Sequence, residues 1–457
     1  MNDNKSFLGT EPIGKLLMKL ALPTVAAQLI NMLYNIVDRI YIGHIPGDGA
    51  LALTGVGVCM PIIMIVSAFA ALVGNGGAPR ATIYMGKKDN DTAERILGNC
   101  FTAQIIISAV LTMVLLIWNR DLLLAFGASE NTIDYAVAYM NIYAFGTVFV
   151  QITLGMNLFI TAQGFAKTGM LSVLLGAVTN IILDPILIFG CFGFPALGIA
   201  GAAYATIAGQ ILTLILDAWF HYAWNHEING SLRYLKPCAQ TIINIYRVGA
   251  PAILMQVLMS VMSYGINIIF GFVCEAAVTA FGIYYKIQQF VFFAAFGMNN
   301  AVIPVVAFNY GKGDLKRITQ GLKYGMTYTL ILMFTGAVFL QLFAAPICSM
   351  FALSPEAMTL CIRAIHIVTL GYLFAGANII FQGVFQALGC GIKSLILSLI
   401  RLIIVPLPLT WILTQLPQSQ TFIWTAFPAA EAIGLVVAVI FIRNVFNHRL
   451  SGLKNHA

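Results

Sequence analysis

The chain has 457 residues, of which 60% are apolar and 9% charged, against about 45 to 50% and about 25% in an ordinary soluble domain. A water-soluble globule of this composition lacks charged surface, and 41 glycines with 31 phenylalanines also exclude a disordered chain, a collagen and a small disulfide scaffold. The net charge of +7 is therefore read against a membrane, where basic residues mark cytoplasmic loops, and not against nucleic acid.

Apolar stretches long enough to cross a hydrocarbon core of about 30 Å as helices predict twelve spans. The first, over 16–42, has no cleavage-site pattern and reads as a spanning helix, not a signal peptide. Within it Gln28, Asn31, Asn35 and Asp38 step by three, four and three residues, which places them in one polar stripe with Tyr34 on its border. Such a stripe must face the bundle interior or a water-filled cavity, because a carboxylate among lipid tails costs several kcal/mol. The next two spans, 51–78 and 97–117, flank a basic turn at Lys87 and Lys88. The fourth, 135–162, carries Tyr139. The fifth, 168–190, holds Asn180 and Asp184 four residues apart on one face, followed by Pro185, which cannot donate to the Ile181 carbonyl and leaves a free oxygen beside the carboxylate. The sixth, 197–222, contributes Thr206. At about 1.5 Å per residue, Asp38, Asp184 and Thr206 all fall in the outer half of the first six-helix bundle.

A short connector at 226–242 leads to spans at 243–272, 276–307, 321–344, 359–388, 393–414 and 424–444. Lys286 and Arg401 are the intramembrane cations of this half, free to snorkel or to pair. The chain repeats itself: ALPTVAAQ from Ala21 returns as GAPAILMQ from Gly249, PRATIYMGKKD from Pro79 as PVVAFNYGKGD from Pro304, and Pro185 falls on Pro406. The expected organisation is a first lobe of six helices over 1–225, the connector at 226–242, and a second lobe of six over 243–457, related by an axis along the membrane normal. The halves differ where chemistry is at stake: Asp38 aligns with Ile266, Asn180 with Arg401 and Asp184 with Val405.

With the first helix leaving the cytoplasm, Lys15, Lys19, Lys87, Lys88, Lys236, Lys312, Lys316 and Lys393 collect on one side, which predicts cytoplasmic termini. No Walker sequence, HExxH or GxSxG occurs, and the eight cysteines form no CxxC pair, so neither an ATP-driven pump, an intramembrane enzyme, a zinc site nor a resident cofactor is indicated.

The run LALPTVAAQLINMLYNIVDRIYIGHIPGDGALALTGVG, then NIILDPILIF and GIAGAAYAT, each with a degenerate copy half a chain later, resembles the multidrug and toxic compound extrusion (MATE) transporters of the MepA-like bacterial type. The resemblance implies an all-α antiporter of the plasma (inner) membrane. It would act as a single chain among lipids, expelling cationic and amphiphilic drugs in exchange for H+ or Na+. It also implies that Asp38, Asn180, Asp184 and Thr206 form the ion-coupling site, a Na+ ion being one occupant. Asn31, Tyr34, Asn35, Tyr139 and Lys286 would border the substrate cavity, and Pro23 would be a point of bending, with Pro185 as its fifth-helix counterpart. Members that couple through acids of the second lobe have them in helices where this chain has none. The alternatives carried beside this reading are a flippase for lipid-linked saccharides, which needs more cavity cations than Lys286 and Arg401 to hold a pyrophosphate, and a purely structural polar cluster holding helices together.

Overall fold

A computed structural model describes residues 7–224, 228, 232–351 and 353–456. These are helical, with no strand among them. Twelve helices are long and apolar enough to span a membrane: α1 Ile13–Gly43, α2 Gly49–Gly86, α3 Asn90–Ala125, α4 Ile133–Ala162, α5 Ala166–Phe189, α6 Ile199–Ala223, α7 Ala239–Gly271, α8 Glu275–Lys312, α9 Leu315–Ser349, α10 Pro355–Ala387, α11 Gly391–Thr414 and α12 Ser419–His448. Large apolar side chains such as Met64, Ile106, Ile182, Val436 and Ile440 are exposed, as lipid-facing helix surfaces require. The protein is a multi-pass, all-α membrane protein.

All twelve predicted spans have a counterpart, but α2 and α8 extend well past the apolar windows at their C-terminal ends, and α3 and α9 at both ends. The extra turns are polar, so hydropathy stops before the helix does. Asp89 and Asp314 explain where they start and stop. Each caps the following helix, Asp89 accepting from the Thr92 N–H at 3.1 Å and Asp314 from the Arg317 N–H at 3.0 Å. These two caps are the final residues of the repeated PRATIYMGKKD and PVVAFNYGKGD segments, so the repeat is preserved down to its turn chemistry. Further along, α11 passes through a π-turn at Ile400–Ile404 just before Pro406. There the Val405 N–H reaches the Ile400 carbonyl at 3.1 Å, one residue further back than in an α-helix, an irregularity typical of π-bulges. Of the connector at 226–242, residues 226, 227 and 229–231 lie outside the described residues; Leu232–Leu235 form a 3-10 turn, and α7 begins at Ala239.

Contacts divide the chain into two compact units, one running Ala26–Ala250 and the other combining the N-terminal residues through Val25 with the chain from Pro251 onward. The chain thus passes between units inside α1 and inside α7, two residues beyond Pro23 and immediately before Pro251. In the unit that begins at Ala26, the opening turns of α7 press on α2 so closely that a Cβ on Gly249 would lie 1.9 Å from the Leu72 carbonyl oxygen. Only glycine fits there. In the other unit the opening turns of α1 lie on α8, where the Thr24 hydroxyl donates to the Gly297 carbonyl at 2.9 Å. The two exchanges mirror each other across the repeat.

Candidate functional site

Within the unit that begins at Ala26, α5 and α6 pack along their length, and their polar residues meet near the ends joined by the 190–198 turn. The Asn180 amide donates to Asp184 Oδ1 at 3.4 Å and to the Thr206 hydroxyl at 3.5 Å. Both contacts are long, and the fork leaves Asn180 Oδ1 and Asp184 Oδ2 buried without a hydrogen-bond partner. Asp184 is fully buried and Asn180 nearly so. Pro185 follows inside the helix and withholds the N–H that would otherwise occupy the Ile181 carbonyl.

The other wall comes from α1 and α4. Asp38 is buried, with Oδ1 unpartnered, and its carboxylate lies close enough to Asp184 for the two charges to repel. Tyr139 on α4 faces both Asp38 and the Thr206 hydroxyl, and stacks on Tyr143 at a centroid separation of 6.3 Å. Tyr34 lies beside Asn35 and within reach of the Asp38 field. Asn35 turns its amide back to the Asn31 carbonyl at 2.6 Å, so the first-helix stripe is partly self-satisfied. The structure therefore brings Asp38, Asn180, Asp184, Thr206, Tyr34 and Tyr139 together, with three unpartnered buried acceptor atoms and with the neighbouring Arg39 exposed. A buried carboxylate without compensating partners costs several kcal/mol. Among the described residues no three His, Cys, Asp or Glu side chains gather at one point.

Lys286, read from sequence as a cavity neighbour, stands on α8 of the other unit with its side chain exposed. Pro23 lies in that unit too, inside α1. There the structure reveals a second buried polar cluster. Arg401, 8% exposed, forms a bidentate pair with Glu431 of α12, both contacts at 2.7 Å, and donates to Gln382 at 3.0 Å. Asn378 donates to the Glu431 carboxylate at 2.8 Å and to its carbonyl at 2.9 Å. Sequence reading singled out Arg401 but missed Glu431, the one acid inside the last apolar span, which was itself the signal of a buried counterion. It also missed Asp217 near the end of α6, which is fully buried.

The chain matches the family model described as MatE over residues 23–186 and again over 251–412. Among curated relatives it is 23% identical to the multidrug export protein MepA of Staphylococcus haemolyticus over 448 residues, covering 98% of this chain and 97% of that one. It is 24% identical to a FAD transporter of Shewanella oneidensis, covering 90% of each. A crystal structure of a MATE protein in the bent conformation superposes with a TM-score of 0.90 at 23% identity, over all of this chain and 99% of the other.

Proposed function

The chain belongs to the MatE family of multidrug efflux transporters, and on that premise we propose that it is a secondary antiporter that exports cationic, amphiphilic compounds in exchange for H+ or Na+. The observation that carries the reading is the pair of buried carboxylates, Asp38 and Asp184, which lie within each other's electrostatic reach and each keep an oxygen without a hydrogen-bond partner. Two buried acids with unsatisfied oxygens, and only the exposed Arg39 near one of them, form a site suited to an ion that enters and leaves. A proton is taken by either carboxylate; Na+ is held by both carboxylates with the Asn180 oxygen, the Thr206 hydroxyl and the freed Ile181 carbonyl, the hard oxygen ligands such an ion requires.

In this reading Asn31, Tyr34, Asn35 and Tyr139 border a cavity whose aromatic faces suit organic cations, Lys286 takes part in substrate passage, and Pro23 and Pro185 are the points at which helices bend during alternating access. The repeats 1–225 and 243–457 are the lobes that exchange states, with the connector 226–242 and both termini in the cytoplasm by the distribution of Lys and Arg. The protein works as a monomer in the inner membrane, in contact with lipid.

Stoichiometry follows from charge. One proton exchanged for one monovalent cation moves no net charge and leaves only the ion gradient as a driving force. Two protons, one on each carboxylate, add about 2.3 kcal/mol per 100 mV of membrane potential. The test is purified protein in proteoliposomes, loaded with a fluorescent cation and given a pH gradient or a sodium gradient separately. Efflux driven by one gradient identifies the ion; efflux of FAD, and not of the cation, under either gradient overturns the substrate class.

A further inference from the structure

On α6, Thr206, Gln210, Thr213, Asp217 and His221 recur at steps of four, three, four and four, one stripe along a single face. Facing it on α5 are Ser172, Asn180 and Asp184. The seam between these helices therefore carries polar groups from the Asp184 site towards the opposite end of the bundle, where α6 finishes. Asp217 lies about 16 Å beyond Thr206 at the helical rise.

Asp217 is fully buried, and neither carboxylate oxygen meets a donor in good hydrogen-bonding geometry. The groups that face it from the packed helices are neutral, the Ser172 hydroxyl of α5 and the Asn157 amide of α4. Both are committed elsewhere: Asn157 donates to Ser172 Oγ at 3.1 Å and to the Gly169 carbonyl at 3.0 Å, and Ser172 donates to the same carbonyl at 3.0 Å. On α6 itself the next titratable group is His221, one turn further on, whose buried ring engages the Met156 carbonyl of α4. Midway along the seam the helices touch at Gly176, where a Cβ would lie 2.0 Å from the Thr213 hydroxyl and 2.8 Å from the Gly209 carbonyl. Thr213 spans this narrow point, its hydroxyl 2.9 Å from the Gly209 carbonyl and 3.3 Å from the Ser172 carbonyl.

We infer that Asp217 is a second proton-binding site of the transporter, and that protons exchanged at Asp184 pass to and from the end of the bundle bearing the 163–165 turn through the α5–α6 seam. The ligand is a proton because a proton needs no shell of oxygens, and the two polar groups facing Asp217 already donate elsewhere. The step is a simple transfer: the Asp217 carboxylate takes H+ onto one oxygen from the seam and releases it to water at that end. An ionised Asp217 with only weak contacts to Ser172 and Asn157 is costly at zero exposure, and the bound proton removes that cost.

The inference rests on the ion-coupling reading of Asp38 and Asp184, and the experiment separates the two. Asp217→Asn and Asp184→Asn are each reconstituted, and fluorescent-cation binding at several pH values is measured beside efflux driven by a pH gradient. For Asp217→Asn, binding and its pH dependence are expected to match wild type while gradient-driven efflux slows by about tenfold or more, the scale of a lost positioned proton carrier. Wild-type efflux in Asp217→Asn with lost coupling in Asp184→Asn overturns the inference alone. Wild-type efflux in Asp184→Asn overturns the ion-coupling reading beneath it. Should Asp217→Asn fail to accumulate, infrared spectra of the Asp38→Asn/Asp184→Asn double variant decide: a carboxylic-acid carbonyl band that shifts on exchange into D2O is expected, and carboxylate bands alone overturn the proposal.

Discussion

The fifth and eleventh helices occupy equivalent places in the two repeats and solve the same problem in opposite ways. In α5 the helix runs unbroken through Pro185, and Asn180 and Asp184 are left with unpartnered oxygens. In α11 the chain opens into a π-turn before Pro406, Asn180 is replaced by Arg401 and Asp184 by Val405, and the guanidinium is closed by Glu431 and Gln382. One repeat leaves buried acid oxygens without a hydrogen-bond partner; the other carries a buried cation closed by a carboxylate of its own unit. The same family model matches both halves, yet among the described residues only the first half leaves a buried acid pair with unpartnered oxygens.

The largest break in this comparison is expected from Glu431→Ala. Removing one partner of a buried pair leaves Arg401 charged and unmatched, at a cost of about 3 to 5 kcal/mol, to be read as a lowered thermal unfolding midpoint in detergent. The double variant Glu431→Leu/Arg401→Met should recover most of that loss, because two apolar groups of similar size leave no charge behind. Asp184→Asn comes next: stability should hold or rise, since a costly buried carboxylate is exchanged for a neutral amide, while uphill efflux falls by about tenfold or more, as loss of an intramembrane coupling acid requires. Equal stability losses at Asp184 and Glu431 would make both clusters structural. Thr206→Val removes one long hydrogen bond to Asn180 and one hard ligand, worth about 0.5 to 1.5 kcal/mol, so half-saturation by the coupling ion should rise a few-fold in transport assays. Val405→Ala, at the repeat partner of Asp184, should leave efflux near wild type; a loss as deep as that of Asp184→Asn would erase the asymmetry.

Much of this was legible from residues alone. Twelve spans, the repeat and the stripe of Asn31, Asn35 and Asp38 follow from hydropathy and period, because lipid forces every backbone group into a helix and every polar side chain inward. The meeting of Asp38, Asp184 and Thr206 was anticipated from depth, since helices of known rise leave little freedom along the membrane normal. What escaped was lateral. Glu431 lies 30 residues from Arg401, and no spacing within one helix says which neighbour a buried cation faces. Asp217 escaped because it falls where α6 approaches its end, a depth at which an acid reads as interfacial until packing shows it fully covered. The helix ends at Gly86, Asn90, Lys312 and Leu315 were missed for a related reason, as their last turns are polar and held by the Asp89 and Asp314 caps.

The most direct test of the central claim, that the first repeat holds an exchangeable ion between two acids, is Asp38→Asn in proteoliposomes, with drug affinity measured in parallel over a range of pH and sodium concentration. Aromatic and apolar contacts remain in that variant, so drug binding should persist while its dependence on pH or sodium largely disappears and transport against a drug gradient stops. Uphill transport by Asp38→Asn at the wild-type rate would contradict the account and leave the first-helix stripe as a structural feature.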